Sequence, residues 1–209
     1  MPGIITCMTA CTIYPAFSSV IGVFNNTSDF SELEKISNYK FISNKSYDNH
    51  YITENNLILD DFPDIAVYLK DLFNTFKNQV LKYANTEFTI TTSWGTLTEP
   101  GARSYTHCHK NSFYSGVVYW DDHPGANIDF ERFDHSQWLI VPDEYNIYNA
   151  ESLELEHKQN TVIFFPSYLP HKISTNTADK NRYSLAFNII PIGLYGKNDS
   201  KLRVEYFKD

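Results

Sequence analysis

His107 and His109 stand one residue apart in THCHKNSFYSGVVYW (106–120), at the head of an apolar run. On an extended chain, residues two apart project from the same side. Both imidazoles then face one way and Cys108 the other, which sets Cys108 aside as a ligand despite its place between them. Such a pair can hold a divalent metal, although on its own it is a weak signal. His171 offers a third imidazole just beyond the buried-strand pattern TVIFFP (161–166). Three neutral ligands from two separated segments form a facial set with open coordination positions, as catalytic metals need and structural sites do not.

After His171 a polar loop (174–179) leads into RYSLAFNII, where Arg182 sits among Tyr, Leu, Ala and Phe. A guanidinium in such company is costly to bury unless it meets an anion. If the loop closes a symmetric hairpin, residues 171 and 182 fall opposite each other, and Ser184 shares the face of Arg182. Two readings of Arg182 stand: an anchor for a ligand carboxylate, or the partner of a side-chain carboxylate such as Asp179. Under the first, the cavity suits a small dicarboxylate that chelates the metal at one end. Its other end would meet a guanidinium and a hydroxyl. Tyr105 lies in line with the histidines, and its spacing directs it inward, to bond a cosubstrate or to line the pocket. His157, ahead of a strand, is the alternative third ligand. His50, His123 and His135 lie in turn-rich contexts and are expected to face solvent, whereas Trp94, Trp120 and Trp138 are assigned to the core.

These residues must be positioned by a β-rich framework. From residue 87 onward, short aromatic and β-branched runs (EFTITTSW, RSYTHCH, SGVVYWDD, ANIDFER, QWLIV, SLELEH, TVIFFP, HKIST, RYSLAFNII) alternate with turns such as EPG, HPG and PDEYN. Runs of this length and spacing fit a sandwich or barrel better than a parallel sheet. Before them, Ile65, Leu69, Leu72, Phe76, Val80 and Tyr83 recur at helical spacing, with Asp64 and Lys82 suiting the helix dipole. A shorter helix is expected over 31–39. The layout expected is mainly β with supporting N-terminal helices. Residues 1–86 supply N-terminal strands and helices, and 87–209 a jelly roll carrying the site, within one domain of 209 residues.

Composition narrows the partners. A net charge of −8 with no basic stripe disfavours nucleic acid. The uncharged first 28 residues lack both a basic signal-peptide start and the continuous apolar length of a membrane span. Three cysteines (Cys7, Cys11, Cys108) cannot pair fully, which points to a reducing, cytoplasmic setting. Cys7 and Cys11 are read as small buried thiols ahead of a shared metal site. No feature specifies an oligomeric state.

In the order SWGTLTEPGARSYTHCHKNSFYSGVVYW, FFPSYLPHKIS and NRYSLAFN, the chain resembles the 2-oxoglutarate/iron(II)-dependent dioxygenases. It is most similar to their small, often phage-encoded members related to prolyl hydroxylases. The resemblance implies a double-stranded β-helix and iron(II) held by His107, the position of His109, and His171. It also implies 2-oxoglutarate bound by Arg182 with Ser184 and by Tyr119, with dioxygen as co-reactant. Succinate and carbon dioxide would be the coproducts of oxidising a peptidyl or small-molecule substrate. The wider family carries an acidic residue where this chain has His109; either His109 is a neutral ligand, or it points to substrate or a supporting partner. Two rivals remain. Gly101 to His109 begins like a cupin motif (G-x5-H-x-H), though the later glutamate is absent; the other rival is a non-catalytic jelly-roll binding protein. Arg182 discriminates against the first and metal content against the second.

Overall fold

The computed structural model of the protein describes residues 17–26, 28–44, 49–132 and 140–208. Cys7, Cys11, His135 and Trp138 lie outside them, as do residues 1–16 of the expected N-terminal strands and most of QWLIV. The described strands are β1 (Gly22–Asn25), β2 (Phe41–Ser43), β3 (His50–Thr53), β4 (Glu87–Thr98), β5 (Tyr114–Tyr119), β6 (Ile128–Glu131), β7 (Ser152–Leu155), β8 (Thr161–Pro166), β9 (His171–Ile173), β10 (Arg182–Tyr195) and β11 (Leu202–Val204). The larger sheet runs β1-β8-β5-β10-β4-β3-β2, with β11 beside β10, and the smaller runs β7-β6-β9; every pairing is antiparallel. This is the jelly roll expected from the strand spacing, and the double-stranded β-helix that the resemblance implies.

Strands β5 and β8 are buried at every position, because the larger sheet is covered on both faces. Alternation separates the two sides. Tyr114 and Val118 of β5, Val162 and Phe164 of β8, and Leu185, Phe187 and Ile189 of β10 pack toward helix α1 (Pro63–Phe76). Val117, Tyr119, Ile163 and Phe165 pack the other way, with Ile128 and Phe130 of the smaller sheet. Gly116 lies directly over the Phe187 ring, where a Cβ would come within 2.2 Å.

Helix α1 lays Ile65, Leu69, Phe73 and Phe76 on the sheet; each such side chain contributes about 1.5–3 kcal/mol by burial. The helical stripe breaks where it was expected to continue, since Val80 and Tyr83 are exposed. Residues Lys77–Leu81 form a wider π-type turn that rotates the face away from the sheet. Lys77 is buried instead, its Nζ donating to the Tyr83 carbonyl (3.2 Å) and to Asn78 Oδ1 (2.9 Å). Ser31–Asn38 is a 3-10 helix that anchors through Leu33 and Ile36.

The segment expected as the strand RSYTHCH is extended but irregular. It runs along β9 through Ser104 N to Ile173 O (3.2 Å), a reciprocal His107–His171 pair (2.9 and 3.0 Å) and His109 N to Ser167 O (3.0 Å). The expected hairpin between His171 and Arg182 does not form. His171 pairs with Phe130 in the smaller sheet, and Arg182 pairs with Thr98 in the larger. The loop between them crosses from one sheet to the other. Buried Asn176 pins it, its Nδ2 donating to the carbonyls of Thr98 (3.0 Å) and Lys180 (2.9 Å).

Candidate active site

Main-chain pairing of the 107 segment with β9 brings three imidazoles together. The ligand nitrogens of His107, His109 and His171 all lie within 4.8 Å of one another. Ring centroids are 4.5, 4.9 and 5.4 Å apart for the pairs 107–171, 109–171 and 107–109. On each ring Nδ1 faces an acceptor. His107 Nδ1 donates to the Tyr105 carbonyl (2.9 Å) and His171 Nδ1 to the Leu169 carbonyl (2.9 Å). His109 Nδ1 meets Asn188 Oδ1 (2.8 Å) and Ser115 Oγ (2.8 Å), and Asn188 Nδ2 is spent on Thr92 Oγ1 (3.0 Å). An amide oxygen or carbonyl only accepts, so Nδ1 carries the proton on every ring and Nε2 keeps its lone pair. Burial also lowers the pKa of all three rings, His109 to about 4. The donor set therefore fits one divalent cation.

The cavity holding this triad has a volume of about 220 Å³. The inward face of β10 lines the same cavity, presenting Arg182, Ser184 and Ala186. Arg182 is fully buried. Its Nε donates to the Ala126 carbonyl (3.2 Å) and its Nη1 to Ser184 Oγ (3.5 Å), while Nη2 meets no partner. Asp179 is exposed, and among the described residues no carboxylate pairs with Arg182. Ser184 bonds Thr96 Oγ1 at 2.7 Å. The guanidinium carbon lies 5.0 Å from the centre of the buried Tyr119 ring. Burial pushes the Tyr119 phenol up, against an opposing pull from Arg182, so it stays a hydroxyl. An orphaned N–H on a buried cation, with hydroxyls beside it, fits an anionic ligand end.

Several expectations need correction. Tyr105 is 54% exposed and does not line the cavity; irregularity in its segment breaks the simple alternation, and it contributes its carbonyl. His157 is not in the histidine cluster: it is buried and stacks on Tyr119, with ring centroids 3.7 Å apart. His50 does not face solvent. It opens β3, lines the cavity and meets Thr98 Oγ1 at 3.0 Å. His123 is likewise buried, accepting from Gly125 N and facing the Lys180 carbonyl, both at 3.3 Å. Trp94, assigned to the core, lines the cavity 5.3 Å from the His109 ring, whereas Trp120 is in the core as expected. Asn188 and Ser115, to which the sequence alone assigns no role, fix the His109 ring. The signal available for Asn188 was its even spacing from Arg182 along one strand.

The buried neutral histidines make stability pH-dependent. Burial, and secondarily Arg182, lower His50 to about 4 and His157 to about 3. The unfolded chain takes up protons near pH 6.5, before the folded one can, so stability is complete above that value and is lost as pH falls toward 4. Melting temperature measured from pH 8 to 4 is expected to drop mainly below 6.5. His157→Phe is expected to flatten part of that fall.

Residues 92–188 match the family described as "Putative 2OG-Fe(II) oxygenase", a span that contains the triad, Arg182 and Asn188. That span is a little under half of the chain, and over it the chain resembles the 2OG-Fe(II) oxygenases. Solved structures of this class share its fold. HygX from Streptomyces hygroscopicus, with nickel and 2-oxoglutarate bound, is 9% identical over 82% of each chain, with a TM-score of 0.59. A prolyl-4-hydroxylase of Pseudomonas putida is 14% identical over 80% of this chain and 91% of that one, with a TM-score of 0.52. A prolyl hydroxylase of Trichoplax adhaerens, in complex with a hypoxia inducible factor peptide fragment, is 11% identical over 81% and 82%, with a TM-score of 0.55. No curated protein matches the sequence. Among the described residues, no helix is long and apolar enough to cross a membrane.

Proposed function

We propose that His107, His109 and His171 hold iron(II) through their Nε2 atoms, and that Arg182, with Ser184 and Tyr119, binds the distal carboxylate of 2-oxoglutarate. The observation that carries this reading is the fully buried Arg182, without a carboxylate partner among the described residues, lining the same cavity as the triad. When bound, iron(II) with 2-oxoglutarate and dioxygen supplies oxidation of a substrate C–H bond to an alcohol, coupled to conversion of the cosubstrate into succinate and carbon dioxide.

The protein's own part is positional. Tyr105, Leu169, Asn188 and Ser115 hold the three rings in the tautomer a metal needs. Arg182 orients the diacid from the opposite sheet, which sets its keto-acid end toward the triad. Phe165, Val117, Ile128 and Ile173 line the cavity with apolar surface that limits water. Hydroxylation of a peptidyl or small-molecule carbon is the reading for the substrate side, supported by the prolyl hydroxylases that share the fold. The free Cys108 fits a cytoplasmic setting, that of the host if the chain is phage-encoded. A cupin enzyme independent of 2-oxoglutarate would leave Arg182 without a purpose, and a non-catalytic jelly roll would leave the triad without one.

The test is turnover without a primary substrate. Purified protein given iron(II), ascorbate, dioxygen and 2-oxoglutarate is expected to form succinate slowly and only with iron present. Absence of iron-dependent succinate at any cosubstrate concentration would overturn the assignment.

A further inference from the structure

Resting on the cofactor assignment above, we infer that the primary substrate carries an anionic group, a carboxylate or comparable oxyanion, that enters the cavity. The reason is an imbalance of charge built into the residues around it. The ligand rings His107, His109 and His171 are neutral donors, where the wider family's acidic position would supply one negative charge. Their Nδ1 partners are neutral as well: two backbone carbonyls, an amide oxygen and a hydroxyl. A histidine ligand is often backed by a carboxylate, but Asn188 stands in that place here. The other described residues lining the cavity include Asn44, His50, Thr96, Tyr119 and Ser184, and none is Asp or Glu.

Iron(II) brings two positive charges and Arg182 a third, while 2-oxoglutarate brings two negative ones. Among the described residues one positive charge is left uncompensated, in a cavity lined by Trp94, Phe165 and Val117. A buried unpaired charge is costly, and the cost is relieved by an anion placed nearby. Neutral substrates gain nothing from this field and cationic ones are opposed by it. The negative surface implied by a net charge of −8 does not select such an anion, so the selection lies within the cavity.

Formate is a suitable probe, with formamide as its neutral isostere. The full-length protein, kept anaerobic with iron(II) and saturating 2-oxoglutarate at fixed ionic strength, is titrated with each while the visible band of the iron–diacid chelate is followed. Formate is expected to shift the band saturably without abolishing it, and formamide to leave it unchanged. Asn188→Asp places a negative charge behind His109 without altering a ligand, and is expected to weaken the formate response at least tenfold while the band persists. No band in the unmodified protein would sink the cofactor assignment itself. A band indifferent to formate would overturn only the anionic-substrate inference. So would a formate effect reversed by more 2-oxoglutarate, an equal response to formamide, or an undiminished response in Asn188→Asp.

Discussion

Arg182→Met is expected to leave the apoprotein folded, and at least as stable as the parent, while collapsing its affinity for 2-oxoglutarate. The two effects run in opposite directions for one reason. In the apoprotein the guanidinium is fully buried, its Nη2 has no partner and no carboxylate among the described residues neutralises it. Replacing a poorly compensated buried charge with an apolar side chain of similar length is often neutral or stabilising. A bound diacid reverses the balance. Removing one side of a buried, hydrogen-bonded charge pair costs about 2–5 kcal/mol, or roughly 30-fold to several thousand-fold in dissociation constant. Thermal melting and anaerobic 2-oxoglutarate titration of the same preparation separate the two readouts. A residue held only for structure would show the reverse, with melting lowered and binding intact.

His171→Ala is expected to abolish iron retention with little change in fold. The backbone bridge between His107 and His171 uses only main-chain atoms, so it survives loss of the ring. What goes is one of three converging nitrogens. Loss of a partner that merely supports a metal ligand already costs about 10–100-fold in affinity, and loss of the ligand itself should exceed that. Iron per chain, measured after anaerobic gel filtration, is expected to fall from about one to under about a tenth. Full retention would move the third ligand elsewhere; His157 stacks on Tyr119 and is not among the three clustered histidines.

Much of this site was legible because it rests on local rules. An H-x-H spacing puts two rings on one side of any extended chain, and that held although the segment proved irregular rather than a regular strand. An arginine inside an apolar strand announces a buried cation, and the strand's alternation carries Ser184 with it. What escaped depends on non-local facts. The loop after His171 has the length of a hairpin, and only packing reveals that Asn176 turns it into a crossover between sheets. The two key residues thus line one cavity from different sheets instead of pairing side by side. His50 was assigned to solvent because turn residues precede it; its strand exists through pairing with β4. Asn188 resembles an ordinary polar residue until His109, 79 positions away, is known to need an acceptor.

Anaerobic titration of the metal-free protein with iron(II) and then 2-oxoglutarate, followed by visible absorption, addresses the convergence of triad and guanidinium most directly. Binding of about one iron per chain, followed by a weak visible band that saturates with 2-oxoglutarate, is the expected result. Iron that fails to bind, or binds without any band on addition of the diacid, would contradict it.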